Sequence, residues 1–500
     1  LWVERSLISP DQNIGFSNRM NKQTRTAFFI ISAVLILIRL LFISKTMLID
    51  DEAYYAMYAR HLDWGYIDHG PVVAFLIKLL TMFAENAFMV RLGPIMLITV
   101  LTIVLYRFGK SQFNEATGMA LSLGLSANML FHTNAVVMTP DVPLAFFSIL
   151  AILYYYKAFF IDEEYLTAAG ALLGLAMLSK VSALFPAIGI VLFPAIVKEK
   201  RHFYKNVNFY RSLVLAFLIF MPFVVWNLQN DLAFVRYQGA HVSKAGNISD
   251  FLGLWIGLLF ATGPIYFYYA VIHPIWVARN YRAQSQQQLY FLSVTGAPLI
   301  YFIAQSLYSR MEMNWLAPVL FGGLFLFGLA IGENWTKHKK RFYVQIVFSL
   351  LLIGLISIQT FLPFLPIKGK NDVTNRYFIY SSFPDELKTY LETHPELQNK
   401  RIVANNFQIP SMVNFYIKPK LEASCLSIGY HETLYSFIHS DKDLKGREFL
   451  FIAKGNSIPA SIKPYFSNLK VLHQFQSMRD ENVVAKYSLW LATNYKGKDA

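Results

Sequence analysis

The sequence predicts a polytopic α-helical membrane protein that ends in a small α/β domain, and three observations predict it. Its 500 residues are 55% hydrophobic and only 15% charged, with a mean hydropathy of +0.38. Long uncharged runs recur from Ala27 to about Leu365, and a helix needs roughly 20 mostly apolar residues to cross the hydrocarbon layer. From about Gly369 charged residues become frequent and apolar ones alternate, which marks a soluble unit of about 130 residues, a size that holds its own core. Cys425 is the single cysteine, so an intrachain disulfide and a cysteine-based zinc cluster are excluded.

The net charge of +14 lies in short loops between apolar runs rather than along one polar face. That is the positive-inside pattern of a membrane protein and not the footprint of a nucleic-acid binder. Arg5, Arg19, Lys22 and Arg25 precede the first span, at 27–43, so residues 1–26 are expected in the cytoplasm. Ile-Asp-Asp-Glu follows that span with no small-residue cleavage site in view, so the first helix is expected to be retained. The first outer loop, 44–87, opens with the helical pattern Glu52–Leu62. It continues through 71–84, apolar but short and carrying Lys78, which reads as an interfacial helix.

The second span, 88–106, returns to Arg107 and Lys110. Spans at 117–131 and 142–156 join outside through His132 to Asp141, and spans at 166–178 and 181–197 turn outside at Ser179-Lys180. A basic inside loop to Arg211 leads to a span at 212–228 and an outer loop carrying Arg236, His241 and Lys244. Spans at 251–277, 289–308, 314–332 and 342–362 complete a transmembrane unit over 27–368. The total is about eleven spans, with roughly ten to thirteen open. Roughly eighteen Lys/Arg fall in inside loops against about seven outside, which places the C-terminal domain, 369–500, on the outer face. In that domain 384–392 reads as a helix with acids in its first turn, and 401–404, 448–453 and 483–491 read as strands.

This topology collects Asp50, Asp51, Glu52, Asp68, His69, Asp141, Lys180, Arg310 and Glu312 at or near the outer ends of helices. Ionisable residues kept at membrane depth line cavities or pathways, so one shared outer site is the economical reading. Each also has a plainer role. Acids at a helix start cap free N–H groups and complement the dipole, yet three consecutive acids exceed what a cap uses, which singles out Asp51 and Glu52 as catalytic candidates. Tyr54, Tyr55, Tyr58 and Trp64 read mostly as an interfacial aromatic belt. Lys180 and Arg310 could be snorkelling span ends. His69 could be only a turn before Pro71, and Asp141 only the start of a span. No glycine-rich phosphate loop, Walker motif, Ser-His-Asp arrangement or two-His zinc helix occurs, so nucleotide-driven pumping and serine hydrolysis gain no support.

Four stretches together resemble a known family: Asp51-Glu-Ala-Tyr-Tyr-Ala-Met-Tyr-Ala-Arg-His-Leu with Gly65-Tyr-Ile-Asp-His-Gly-Pro, Thr139-Pro-Asp-Val-Pro-Leu, Leu178-Ser-Lys, and Ser309-Arg-Met-Glu-Met-Asn-Trp-Leu-Ala-Pro. Their order and spacing are similar to those of the GT-C glycosyltransferases that use polyprenyl-phosphate sugars, the family of protein O-mannosyltransferases and the bacterial aminoarabinose transferase of lipid A. His69-Gly70 stands where the aminoarabinose enzyme carries an acid and a lysine, which separates this chain from that enzyme.

The resemblance implies a multispan fold whose site faces the periplasm, a sugar donor carried on undecaprenyl phosphate, and transfer with inversion. It implies that Asp51 positions or deprotonates the acceptor, supported by Glu52 and Asp141, and that Lys180 and Arg310 hold the donor phosphate. Tyr54, Tyr55, Asp68, His69 and Glu312 would line the cavity. A divalent cation is left open, with Asp51, Asp141 and His69 as its candidate ligands. The function expected is a bacterial inner-membrane glycosyltransferase acting on an envelope acceptor, lipid A or lipopolysaccharide core first. A protein O-glycosyltransferase of the same fold is the nearest alternative. A transporter or lipid flippase is the rival from another class, although the repeated halves such proteins show are not seen.

Overall fold

The computed structural model describes residues 20–242, 244–367, 369–417 and 422–498; Arg5 and Arg19, used above for orientation, lie outside them. The chain is a multi-pass helical protein with a five-stranded sheet at one end of the helical body. Helix α1 (Lys22–Lys45) starts at Asn21, whose side chain accepts from the Thr24 N–H, and Arg25 reaches Glu115 at 2.6 Å. Two short helices, α2 (Asp50–Arg60) and α3 (Val72–Thr81), fill the loop before α4 (Ala87–Gln112). Next come α5 (Glu115–Ser126), α6 (Met129–Asn134), α7 (Asp141–Phe160), α8 (Tyr165–Ser179), α9 (Leu184–Ile196) and α10 (Val207–Gln229). The remaining helices of the body are α11 (Ala233–Val242), α12 (Ile248–Thr262), α13 (Pro264–Phe267), α14 (His273–Arg279), α15 (Gln286–Tyr308), α16 (Ala317–Glu333) and α17 (Trp335–Phe361).

Every apolar segment expected from the sequence is helical, but they are not all simple spans. Among the described residues seven helices are long and apolar enough to cross a membrane, or up to nine if two bent pairs each count as one. Segment 251–277, expected as a single span, is two helices bent by 118° at Gly263-Pro264. Gly263 has φ +87°, and a Cβ there would lie 2.3 Å from the Gln345 amide nitrogen. That amide joins the broken ends, donating to the Thr262 carbonyl at 2.9 Å and accepting from the Tyr266 N–H at 2.9 Å. A side chain thus satisfies backbone groups that lipid cannot. Helix α9 likewise bends by 115° into the basic turn Lys198–Lys205, and α8, at 15 residues, is about 22 Å long, short of a full span.

The C-terminal unit holds α18 (Phe383–Glu392), β1 (Ile402–Ala404), α19 (Gln408–Tyr416), β2 (Ala423–Cys425), α20 (Leu434–Ile438), α21 (Asp441–Leu444), β3 (Phe449–Lys454), β4 (Phe466–Arg479) and β5 (Asn482–Tyr495). The sheet order is β2-β1-β3-β5-β4, with β1 parallel to β2 and β3 and the long β4–β5 hairpin antiparallel. Strands β2 and β4 were not expected. The first has three residues, and the second is an edge strand with most side chains exposed, so neither shows an apolar run.

One apolar cluster runs from the first outer loop into this domain, joining Tyr54, Tyr58 and Ile77 to Ile409, Met412 and Leu450. The tyrosines expected mostly as a membrane belt are therefore core residues: Tyr54, Tyr55 and Tyr58 are only 2%, 8% and 0% exposed. Trp64, by contrast, is 53% exposed. The Tyr54 hydroxyl accepts from the Leu434 N–H at 2.8 Å and that of Tyr416 from Leu48 at 2.7 Å, so the α2 loop is clasped between helical body and sheet domain.

Candidate active site

Two neighbouring acids on α2 face different surroundings. Glu52 is fully buried and paired with fully buried Arg91 of α4. The Arg91 Nε donates to its two carboxylate oxygens at 2.8 and 3.0 Å. The backbone N–H groups of Ile49 and Met138 donate at 3.0 and 2.9 Å. Arg91 spends its other donors on Thr46 and the Met47 carbonyl. This closed network ties α2 and α4 to the segment that leads into Asp141.

Asp51 instead pairs with Arg376, which also reaches Asp50 at 3.4 Å. Arg376 sits in the turn Val373–Tyr377 between α17 and the sheet domain. The Asp51 side chain is 34% exposed. Burial of its inner side raises its pKa, Arg376 works against that rise, and the charges of Asp50 and Glu312 add to it.

The Asp68-His69-Gly70 turn forms the next wall. The Tyr58 hydroxyl donates to the Asp68 carboxylate, and Gln238 of α11 donates to its carbonyl at 3.2 Å. Burial pushes the Asp68 carboxyl up to about 6. Burial, with help from the Lys180 charge, pushes His69 down to about 3, so its imidazole is neutral at physiological pH. Gly70 is required by close approach: a Cβ there would lie 1.9 Å from the Leu178 carbonyl oxygen. The turn is thereby pressed onto the end of α8, beside Lys180.

Lys180 follows the last residue of α8 and Asp141 opens α7. The Lys180 Nζ donates to Asp141 Oδ1 at 2.7 Å, and the Asn314 amide donates to Oδ2 at 3.0 Å. Both oxygens of Asp141 are thus engaged by side chains from two other parts of the chain. The ring of Tyr55 meets that of His69 edge-on at 5.8 Å. Its phenol pKa is raised by burial and by the charges of Asp51, Asp68 and Asp141. Arg310 and Glu312 lie at the exposed lip. The Arg310 N–H donates to the Lys244 carbonyl at 3.1 Å, next to an isolated bridge between Ala245 and Ser309.

The sequence-expected residues thus form three groups: Asp51 with Tyr55, Asp68 and His69; Asp141 with Lys180; and Arg310 with Glu312 at the rim. Glu52 stands apart, sealed behind α2. Arg376, Asn314 and Lys244 were missed as site residues. Asn314 lies inside the quoted 309–318 stretch and Lys244 in the outer basic loop, but nothing local marks Arg376. Of the candidate cation ligands, Asp51 pairs with Arg376 and Asp141 with Lys180, and among the described residues no three His, Cys, Asp or Glu side chains group together.

Comparison with known proteins bears on the fold of the chain. Residues 68–226 match the family described as dolichyl-phosphate-mannose-protein mannosyltransferase. The lipid A galacturonosyltransferase RgtD of Rhizobium johnstonii is 26% identical over 319 residues, which cover 62% of this chain and 64% of that protein; the match spans just under two thirds of the relative. ArnT from Cupriavidus metallidurans superimposes in its apo crystal structure with TM-score 0.61, at 14% identity over 94% of this chain and 98% of that one. Its structure bound to undecaprenyl phosphate gives 0.62, at 13% identity over 95% and 98%. The overall fold is therefore that of ArnT, with helical body and C-terminal domain included in the match.

Proposed function

We propose that this chain, which has the GT-C glycosyltransferase fold, is an inverting glycosyltransferase that moves a sugar from a polyprenyl phosphate to a lipid acceptor, lipid A or lipopolysaccharide core. The observation that carries the proposal is the convergence of Asp51, the Asp68-His69 turn and the Asp141–Lys180 pair at one end of the helical body, beneath the sheet domain. The basic loops at the opposite end support a cytoplasmic side there and a periplasmic side here, in a bacterial inner membrane. The two relatives named for lipid A and for undecaprenyl phosphate support the acceptor and donor classes.

In this mechanism Asp51 accepts the proton of an acceptor hydroxyl as its oxygen bonds to the anomeric carbon from the face opposite the leaving group. The bond from that carbon to the phosphate oxygen breaks, and the polyprenyl phosphate leaves with the electron pair and one more negative charge. Cations fixed near the phosphate stabilise charge that grows in the transition state. Lys180, Arg310 and the adjoining Lys244 supply them, Asp141 and Asn314 aiming Lys180. An acceptor that is itself a phosphate is already a nucleophile, and Asp51 then serves by positioning it. Arg376 favours the charged form of Asp51, while Glu52 acts at one remove by fixing α2 against the segment that carries Asp141.

The test is mass spectrometry of lipid A and envelope proteins from a strain lacking the protein. Loss of a sugar-sized increment from lipid A is the expected result. Loss from envelope proteins would instead make the acceptor a protein, and unchanged glycans would point to transport.

A further inference from the structure

On the outside of the bundle, α1, α4 and α5 enclose a groove of about 280 Å³ that opens toward lipid between Phe29 and Ile103. Its upper end holds Arg39, fully buried within a membrane-spanning helix. The partners of Arg39 are all neutral: the Ser126 carbonyl at 2.6 Å, the Ser126 hydroxyl at 3.2 Å and the His132 Nδ1 at 3.4 Å. Among the described residues no carboxylate faces it. One guanidinium nitrogen, Nη1, has no hydrogen-bond partner there, and neither do the hydroxyls of Thr99 and Ser122 on the same groove.

These three orphaned groups stand at nearly one level. Phe28 of α1 stacks on Tyr106 of α4 at 5.0 Å, and the two helices run antiparallel, so Thr99 falls about one turn from Arg39; Ser122 is likewise one turn from Ser126. Below that level the groove continues toward Phe28 for a further ~16 Å along α1. An unpaired charge and unbonded hydroxyls inside the hydrocarbon layer are costly unless a ligand or pathway uses them.

We propose that this groove is a lipid site, binding the phosphate head of a membrane lipid at Arg39, Thr99 and Ser122 with the chain lying toward Phe28. Several features favour a lipid over a free anion. The charged end lies only about 9 Å below the end of α1 nearest the candidate active site, within reach of a headgroup of that leaflet. Phe28, Phe29, Ile36 and Ile103 line the walls below it, with Arg107 at the far end beside Phe28, and the opening faces the bilayer. The site is separate from the donor's and does not depend on the proposed transferase activity.

Native mass spectrometry of the full-length protein in detergent, with dodecyl phosphate as the probe, tests it. Ile103→Trp fills the groove from its lipid side, and Thr99→Val with Ser122→Ala removes both hydroxyls while leaving every bond of Arg39 intact. Wild type should retain one more dodecyl phosphate per chain than either variant, at matched thermal stability. Equal retention by all three proteins overturns the site. Equal retention of dodecanol overturns the anionic head, and retention of inorganic phosphate alone overturns the lipid in favour of a free anion.

Discussion

Asp51 and Glu52 are consecutive, both acidic and both paired with arginine, yet they belong to different parts of the protein's economy. Glu52 is sealed with Arg91 and two backbone donors, where removing one partner strands a buried charge. Asp51 keeps a third of its surface open and takes its arginine from the turn between α17 and the sheet domain. A helix advances about 100° per residue, so neighbours look onto different environments. Burial and connectivity, rather than residue type, divide support from chemistry.

The largest expected effect breaks the comparison on the chemical side. Asp51→Asn should lower transfer by about 10²- to 10⁴-fold in membranes or proteoliposomes, with melting temperature nearly unchanged, because a half-exposed Arg376 loses little by being left alone. Glu52→Gln should do the reverse. It should cost about 3–5 kcal/mol of stability, seen as loss of folded protein in thermal unfolding, while transfer per folded molecule stays within about tenfold of wild type.

Arg376→Gln sharpens the same contrast. Burial already raises the Asp51 pKa and Arg376 opposes it, so removing the guanidinium raises it further and moves the acid limb of the pH–activity profile to higher pH. Activity should fall most at low pH, recover as pH rises, and be partly restored by Arg376→Lys. A smaller effect concerns stability. The folded-state pKa of Asp68, about 6, lies above the usual carboxylate value near 4. The fold therefore favours its protonated form, and wild type should lose stability as pH rises from about 4 through about 6. Asp68→Asn should lack that loss when melting temperatures are compared across the window.

The acids were legible because charge stands out among apolar spans, and the start of α2 was placed within two residues for the same reason. Their partners were not. Arg376 lies 325 residues from Asp51 and Arg91 lies 39 from Glu52, separations no local pattern encodes. Tyr54 and Tyr58 looked like belt residues because an aromatic near a span end has a ready interfacial explanation. What buries them is a domain more than 300 residues downstream. The break in 251–277 did leave a sign, Gly263-Pro264, a pair that marks turns, which the apolar run masked. Gly70 is a comparable case: its meaning appears only when the Leu178 carbonyl is seen against it.

The most direct measurement is the mass of lipid A from a deletion strain complemented with wild type, Asp51→Asn or Glu52→Gln at matched amounts of folded membrane protein. Restoration of the sugar increment by wild type and Glu52→Gln but not by Asp51→Asn is the result expected. Full restoration by Asp51→Asn would contradict the assignment of chemistry to Asp51 and of support to its neighbour.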